Sequence, residues 1–485
     1  MKAISILGTS SGAGKTWIAT ALCAWLRRQG VRVAPFKAQN MSNNALVTPA
    51  GGEMARAQAV QAEACGLEPD VRMNPLLLKP SGALGSQVVV MGEAVAHLSA
   101  RGYYDRLEEF WQVAAGCLDH WRTACEVLVV EGAGSPVELN LMDRDLANLR
   151  TLRHLDGRWL LVADIDRGGV FAQLAGTWNL MSEGDRRRGI GAIVNRFRGD
   201  LSLFPDPNLH LGPHAPGLRV LGTVPLRPDL RPDEEDGLDP TDGDRGEGEV
   251  IAWIRLPNVA ILNDCQPWWD DQGVRTVWVD RPEALAGARA VVIPGTKNTI
   301  ADLRWLRSSG MAEAILAARA RGAALFGLCG GYQILGARLV DEQGVAGDAG
   351  DEPGLGLLPG ATRFFAPKLV RPTESIFAGD RWSTYEIHMG RTSGDQSCEP
   401  LQQIVADGVA ERDGIRSGRV WGTYQHGWFE SPAARSAFAA EAGISAHRPH
   451  PVPWSARRRA VYDAMGDWLA EHVDLDPVRR YLGLS

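Results

Sequence analysis

Short apolar runs alternate with stretches of helical period along most of the chain. Ala3-Ile4-Ser5-Ile6-Leu7 reads as a buried strand, and Trp17, Ile18, Ala21, Leu22, Trp25 and Leu26 then recur at the spacing of one helix face. Further apolar runs come at Val31–Phe36, Val127–Val130, Trp159–Ala163, Gly191–Val194 and Val220–Val224. Helical stretches lie between them, from Met54 to Cys65, up to Trp121, and from Val170 to Leu180. Residues 233–249 break the pattern: acidic, glycine-rich and almost without apolar side chains, they read as a linker. Strand-like runs resume at Val250–Leu256, Val274–Val279, Ala290–Ile293 and Ala323–Leu328, and Ala456–Val473 reads as a terminal helix. Such alternation predicts an α/β chain of two doubly wound, mostly parallel sheets with right-handed crossovers. The expected domains are 1–232 and 250–447, joined by the linker and followed by a helical extension, 448–485.

Chemistry-bearing residues fall at the C-terminal ends of these strands, where open α/β sheets bind ligands. Residues 8–16, Gly-Thr-Ser-Ser-Gly-Ala-Gly-Lys-Thr, lie between the first strand and the first helix. Backbone N–H groups around Gly12 and Gly14 and the helix N-terminus suit a phosphate, Lys15 adds charge, and Thr16 can ligate Mg²⁺. The P-loop spacing is off register by one: its first glycine should be residue 9, which is Thr9, with Gly8 just before it. Val31–Phe36 delivers Lys37 to the same edge, and the amide-rich loop Gln39 to Asn44 follows. Glu53 opens the next helical stretch, placed either for that helix's dipole or for a metal. Glu131 ends an apolar strand, where P-loop proteins place the acid that holds Mg²⁺ or its water. Strands ending at Asp164 and Asn195 repeat the device.

The second half carries a different motif. Gly327-Leu328-Cys329-Gly330-Gly331 joins an apolar strand to a helix, the form of a nucleophile elbow. A helix N-terminus there favours a thiolate, and the Gly330 N–H can face an oxyanion. Of the histidines that could serve as base, His426 follows a strand and precedes a glycine, which suits the sheet edge better than His388. A phosphate-activating half joined to a thiol-hydrolase half has an economical explanation. One half releases ammonia from L-glutamine through a thioester on Cys329; the other uses ATP to convert a carboxylate into an acyl phosphate that the ammonia attacks.

Composition narrows this further. Net charge is −7, which argues against nucleic acid as a partner, and no apolar run is long enough to span a membrane. Seven cysteines without a C-x-x-C pair point to the reducing cytoplasm and away from a zinc site.

At this point the chain resembles the cobyric acid synthase family over nearly its whole length. The resemblance is carried by residues 8–15, Gln39-Asn40-Met41-Ser42, Gly51 to Gln58, Asn74 to Pro80, Gly85 to Val88, Glu131 to Pro136, Asp164 to Phe171 and Asn195 to Asp200. Pro294 to Thr299, the cysteine elbow, Tyr385 to Gly390 and the His426 segment add to it. It implies ATP- and glutamine-dependent amidation of four side-chain carboxylates (b, d, e and g) of a corrinoid, adenosylcobyrinic acid a,c-diamide. The first half would resemble dethiobiotin synthetase, with Thr16, Glu53 and Glu131 as Mg²⁺ ligands, Lys37 at the phosphate or carboxylate and Asn195 at the adenine. The second would resemble class I glutamine amidotransferases, with Cys329 as nucleophile, His426 as base, and N–H groups near Gly295 and at Gly330 as the oxyanion hole. Trp428 stands where those enzymes usually carry an acid, two residues after the histidine, so a Cys–His dyad is expected. Ser42 to Ala45 and the segment Arg255 to Asp264 match the family pattern only in part. Two other readings compete: the a,c-diamide synthase, and a P-loop regulatory or partitioning ATPase with an inert amidotransferase-like domain.

Overall fold

Six apolar segments of the N-terminal half pair as strands of one sheet: β1 (Lys2–Gly8), β2 (Val33–Phe36), β3 (Val127–Glu131), β4 (Arg158–Asp164), β5 (Gly189–Phe197) and β6 (Val220–Pro225). Every pairing is parallel, in the order β6-β5-β4-β1-β3-β2. From β1 the chain runs to β2 on one side and later to β4, β5 and β6 on the other. The order therefore reverses beside β1, which opens a crevice at its C-terminal end. Helices α1 (Lys15–Arg28) and α2 (Arg56–Cys65) pack on this sheet through Ile18, Leu22, Leu26, Val60 and Ala64. Burial on both faces explains why these strands read as unbroken apolar runs.

The computed structural model describes residues 1–81, 85–232, 244–394 and 398–484. It divides into two compact units: Met1–Ser42, Glu53–Glu235 and Arg458–Ser485 form the first, Asn43–Gly52 and Asp236–Arg457 the second. The second holds a seven-stranded sheet of β7 (Asp244–Gly246), β8 (Gly248–Ile254), β9 (Gly273–Val279), β10 (Ala290–Ile293), β11 (Ala324–Leu328), β12 (Ile415–Ser417) and β13 (Val420–Thr423). Its order is β7-β9-β8-β10-β11-β13-β12, parallel inside, with an antiparallel strand at each edge. Helix α3 (Gly330–Leu335) follows β11 directly. The expected pair of doubly wound, mostly parallel sheets is what the chain forms.

Three boundaries differ from expectation. Of the linker 233–249, residues 233–243 lie outside the described residues, while Asp244 onward is already strand, so the second sheet starts before residue 250. From Arg458 on, the extension belongs to the first unit. Its helix α4 (Trp454–His472) buries Tyr462, Met465 and Leu469 in the same core as α1, and Val473 bridges to Gly222. A Cβ at Gly222 would stand 2.0 Å from the His472 carbonyl oxygen, so this seam needs a glycine. Asn43–Gly52, expected in the N-terminal domain, is a strap within the second unit: Ala45–Val47 is buried there, and Asn44 Nδ2 donates to Asn263 Oδ1 at 2.9 Å.

Candidate active site

The turn after β1 forms a cradle whose geometry depends on its small residues. Gly12 and Gly14 have φ of 73° and 94°, in the left-handed region. A Cβ at Gly14 would lie 2.0 Å from Asn195 Nδ2, which donates to the Ala13 carbonyl at 3.1 Å. Asn195 on β5 thus braces the loop from beneath. Lys15 Nζ folds back to donate to the carbonyls of Ser10 at 2.9 Å and Gly134 at 3.1 Å. A Cβ at Gly8 would stand 2.9 Å from that nitrogen, whereas Thr9 keeps its side chain by bonding Gln173 at 2.9 Å. The displaced glycine of the motif therefore has a physical reason: the small residue is needed under the lysine.

Strand ends bring the other groups in. Glu131, wholly buried at the end of β3, accepts from Thr16 Oγ1 and from Lys37 Nζ, both at 2.9 Å and both on Oε1. Gln61 of α2 donates to its other oxygen. Burying the Lys37–Glu131 pair is costly unless these extra bonds hold it in place. Glu53 sits elsewhere than a helix N-terminus: it lies in a short strand, Glu53–Ala55, ahead of α2, and forms a buried ion pair with Lys79. The helix-dipole placement is therefore ruled out. No cluster of three or more His, Cys, Asp or Glu among the described residues suits a metal. Thr16 and Glu131 are instead a pair of hard oxygen donors beside the phosphate cradle, which suits Mg²⁺ shared with a nucleotide. Arg167, which the sequence reading did not single out, reaches the cradle as well: a Cβ at Gly12 would be 3.2 Å from its Nη2.

In the second unit, β11 ends in a strained turn. Cys329 has φ 49° and ψ −108°, an unusual backbone conformation for a side-chain-bearing residue. The surrounding glycines are set by close approach to β10. A Cβ at Gly331 would be 1.9 Å from the Ile293 carbonyl oxygen, and one at Gly330 would be 2.5 Å from Thr296 Cγ2. Gly331→Ala should therefore open the elbow and lower stability by about 2–4 kcal/mol, visible as an earlier thermal transition. A parental melting curve would show the turn can relax around the methyl group.

Cys329 is buried, and its thiol faces the Ile387 carbonyl oxygen at 3.7 Å. His426 lies just beyond β13, paired by backbone to Tyr385 and stacked on its ring. His388 is engaged otherwise: it stacks on Tyr424 with 3.7 Å between centroids and its Nδ1 lies 3.1 Å from the Gly390 carbonyl oxygen. Gly295 lies at the same place, since a Cβ there would be 3.0 Å from His426 Cε1.

The dyad expected from Trp428 is not what the structure shows. Trp428 is wholly buried among Phe326, Phe377 and Trp421, with Nε1 on Gln402. It serves the core and cannot hold an acid's place. An acid arrives from another turn: Asp264 Oδ2 lies 2.7 Å from His426 Nδ1, and its Oδ1 accepts from the Gly427 N–H at 2.8 Å. Burial presses the His426 imidazole toward the neutral form, but the Asp264 carboxylate and then the Cys329 thiol more than offset it, leaving the ring raised to about 10. Nε2 is buried without a hydrogen-bond partner among the described residues. Sequence reasoning missed Asp264 because it lies 162 residues upstream of the histidine. The only signal was its place at the end of the partly matching Arg255 to Asp264 segment.

Family models match both halves of the chain. Residues 4–240 match the CobQ/CobB/MinD/ParA nucleotide binding domain, and residues 250–434 the CobB/CobQ-like glutamine amidotransferase domain. The cobyric acid synthase of Roseiflexus castenholzii is 46% identical over 89% of this chain and 90% of its own length. That of Variovorax paradoxus is 43% identical over 98% of each, and that of Syntrophobacter fumaroxidans 40% identical over 99% of this chain and 98% of its own. With both halves matched and relatives this similar from end to end, the chain belongs to the cobyric acid synthase family.

Proposed function

We propose that the chain converts four carboxylates of adenosylcobyrinic acid a,c-diamide into amides, using ATP and glutamine, and yields adenosylcobyric acid. The observation that carries this is that one chain holds both sets of reactive groups: the Lys15–Thr16–Glu131 cradle and the Cys329–His426 elbow. A cytoplasmic setting fits cysteines that form no disulfide among the described residues, where also no helix is long and apolar enough to cross a membrane.

In the glutaminase half, Cys329 attacks the side-chain amide carbon of glutamine, and His426 delivers a proton to the departing ammonia. The N–H groups at Gly330 and near Gly295 receive the oxyanion. Water, deprotonated by His426, then cleaves the thioester to glutamate. In the synthetase half, the carboxylate attacks the γ-phosphorus of ATP, giving an acyl phosphate and ADP. Ammonia displaces phosphate from it to form the amide. Lys15, the loop N–H groups around Gly12 and Gly14, and Arg167 offset charge on the transferring group. Lys37 moves from Glu131 to the phosphate or carboxylate, and Asn195 both braces the loop and meets the adenine. Thr16 and Glu131, with Glu53 as third donor, would hold Mg²⁺, which supplies charge neutralisation between the phosphates.

The test is incubation with ATP, Mg²⁺, glutamine and the corrinoid diamide, followed by mass analysis. Four successive identical mass decrements are expected, each accompanied by one ADP. No decrement with either glutamine or ammonia would overturn the enzyme reading. Acceptance of unamidated cobyrinic acid with only two decrements would point to the a,c-diamide synthase.

A further inference from the structure

We infer that Asp264 completes the glutaminase machinery as the positioning residue of His426, supplied by a turn far from the histidine in sequence. The inference rests on the thioester reading above. Asp264 holds two points at once, the ring through Nδ1 and the following backbone through the Gly427 N–H. With Nδ1 bearing the proton that this carboxylate accepts, the Nε2 lone pair is directed to the thiol's chemistry, and the imidazolium formed there is stabilised. The carboxylate is only 5% exposed, and a buried charge of this kind persists where a partner needs it.

The turn itself is built to stay in place. Asp264 lies in the 3-10 helix Leu262–Trp268, entered through Ile261 at φ 58°, a costly conformation for a β-branched residue. Trp268 at its end packs on Phe429 and Phe438, close after His426 in sequence, so acid and base are fixed to one aromatic core. Asn263, next to the acid, is held by Asn44 of the strap. The groups that face the imidazole are Asp264, the Cys329 thiol and the Tyr385 ring.

A purely structural acid would be replaced well by asparagine, which keeps its shape and its acceptor for Gly427. A positioning acid would not. In Asp264→Asn the new NH₂ donates to Nδ1, so the ring loses the carboxylate that supports its imidazolium form, the form that protonates the departing ammonia. Expected for D264N is a fall in kcat for glutamine hydrolysis of about 10²–10⁴-fold, with KM for glutamine little changed. The alkaline limb of the pH profile, set in the parent by loss of the imidazolium proton, should move to lower pH, because burial is then unopposed by the carboxylate. D264E should restore part of the rate, while amide formation from ammonia continues and shows that the chain is folded. A parental rate and unmoved limb in D264N would overturn the inference. So would equal losses in D264N and D264E with parental melting curves. If D264N does not fold, ¹⁵N NMR of histidine-labelled parent decides: a proton on Nδ1 of His426 supports the role, and a neutral ring protonated only on Nε2 overturns it. Cys329→Ala separates the two claims, since glutamine hydrolysis persisting in that variant defeats the thioester reading itself.

Discussion

Cys329→Ala is expected to lower glutamine-supported amide formation by about 10⁴-fold or more, while amide formation from added ammonia continues. Removing a nucleophile from a unit that acts together costs about as much as removing the whole unit. A 10⁴-fold loss corresponds to about 5.5 kcal/mol of transition-state stabilisation. The substitution is small, the site is buried, and the strain at φ 49° belongs to the backbone, so the elbow should survive it. Steady-state rates with each nitrogen source, at saturating ATP and corrinoid, check the split. Equal losses with both sources would mean the thiol serves the synthetase chemistry or the fold. Unchanged rates with glutamine would mean that Cys329 is not the nucleophile.

Most of the fold was legible because its central strands are buried on both faces and therefore read as unbroken apolar runs between glycine turns. The site residues at strand ends were legible for the same reason: Lys37 follows and Glu131 closes such a run, and the sheet then brings the two within hydrogen-bond reach, while Lys15 follows the glycine turn after β1. Sequence showed much less of what depends on long-range approach. Gly8 looks like a misplaced motif residue until Lys15 is seen lying over it. Glu53 reads as an acid placed either for a helix dipole or for a metal until the strand Glu53–Ala55 turns it onto Lys79. The strap Asn43–Gly52 reads as part of the N-terminal domain because nothing in its composition says that Asn44 will meet Asn263.

Asp264 is the most instructive of these. The search for an acid next to His426 is a search along the chain, and along the chain position 428 is a tryptophan. The physical requirement concerns only what touches Nδ1. A 3-10 turn anchored by Trp268 on Phe429 meets it from across the unit. Trp428, the aromatic residue that stands two places after the histidine, is one of the side chains that build the core on which the real partner rests.

Lys15→Ala should lower ATP-dependent amide formation by about 10²–10³-fold with glutamine and ammonia alike, the loss typical of one charge-stabilising donor. Its ammonium is satisfied in this structure by two carbonyls, of Ser10 and Gly134, and so is poised over the loop on bonds it can exchange for phosphate oxygens. Alanine removes that charge without touching the backbone N–H cradle or the Thr16–Glu131 pair, so nucleotide binding should weaken less than turnover does. Kinetics with both nitrogen sources, read beside the shift in melting temperature that Mg-ATP produces, separate the two effects. A fall confined to glutamine would place the defect in ammonia supply and refute Lys15 as a phosphoryl-transfer residue. A fall in both, with the Mg-ATP shift largely kept, would show that this lysine acts on the transferring phosphoryl group more than on the bound nucleotide.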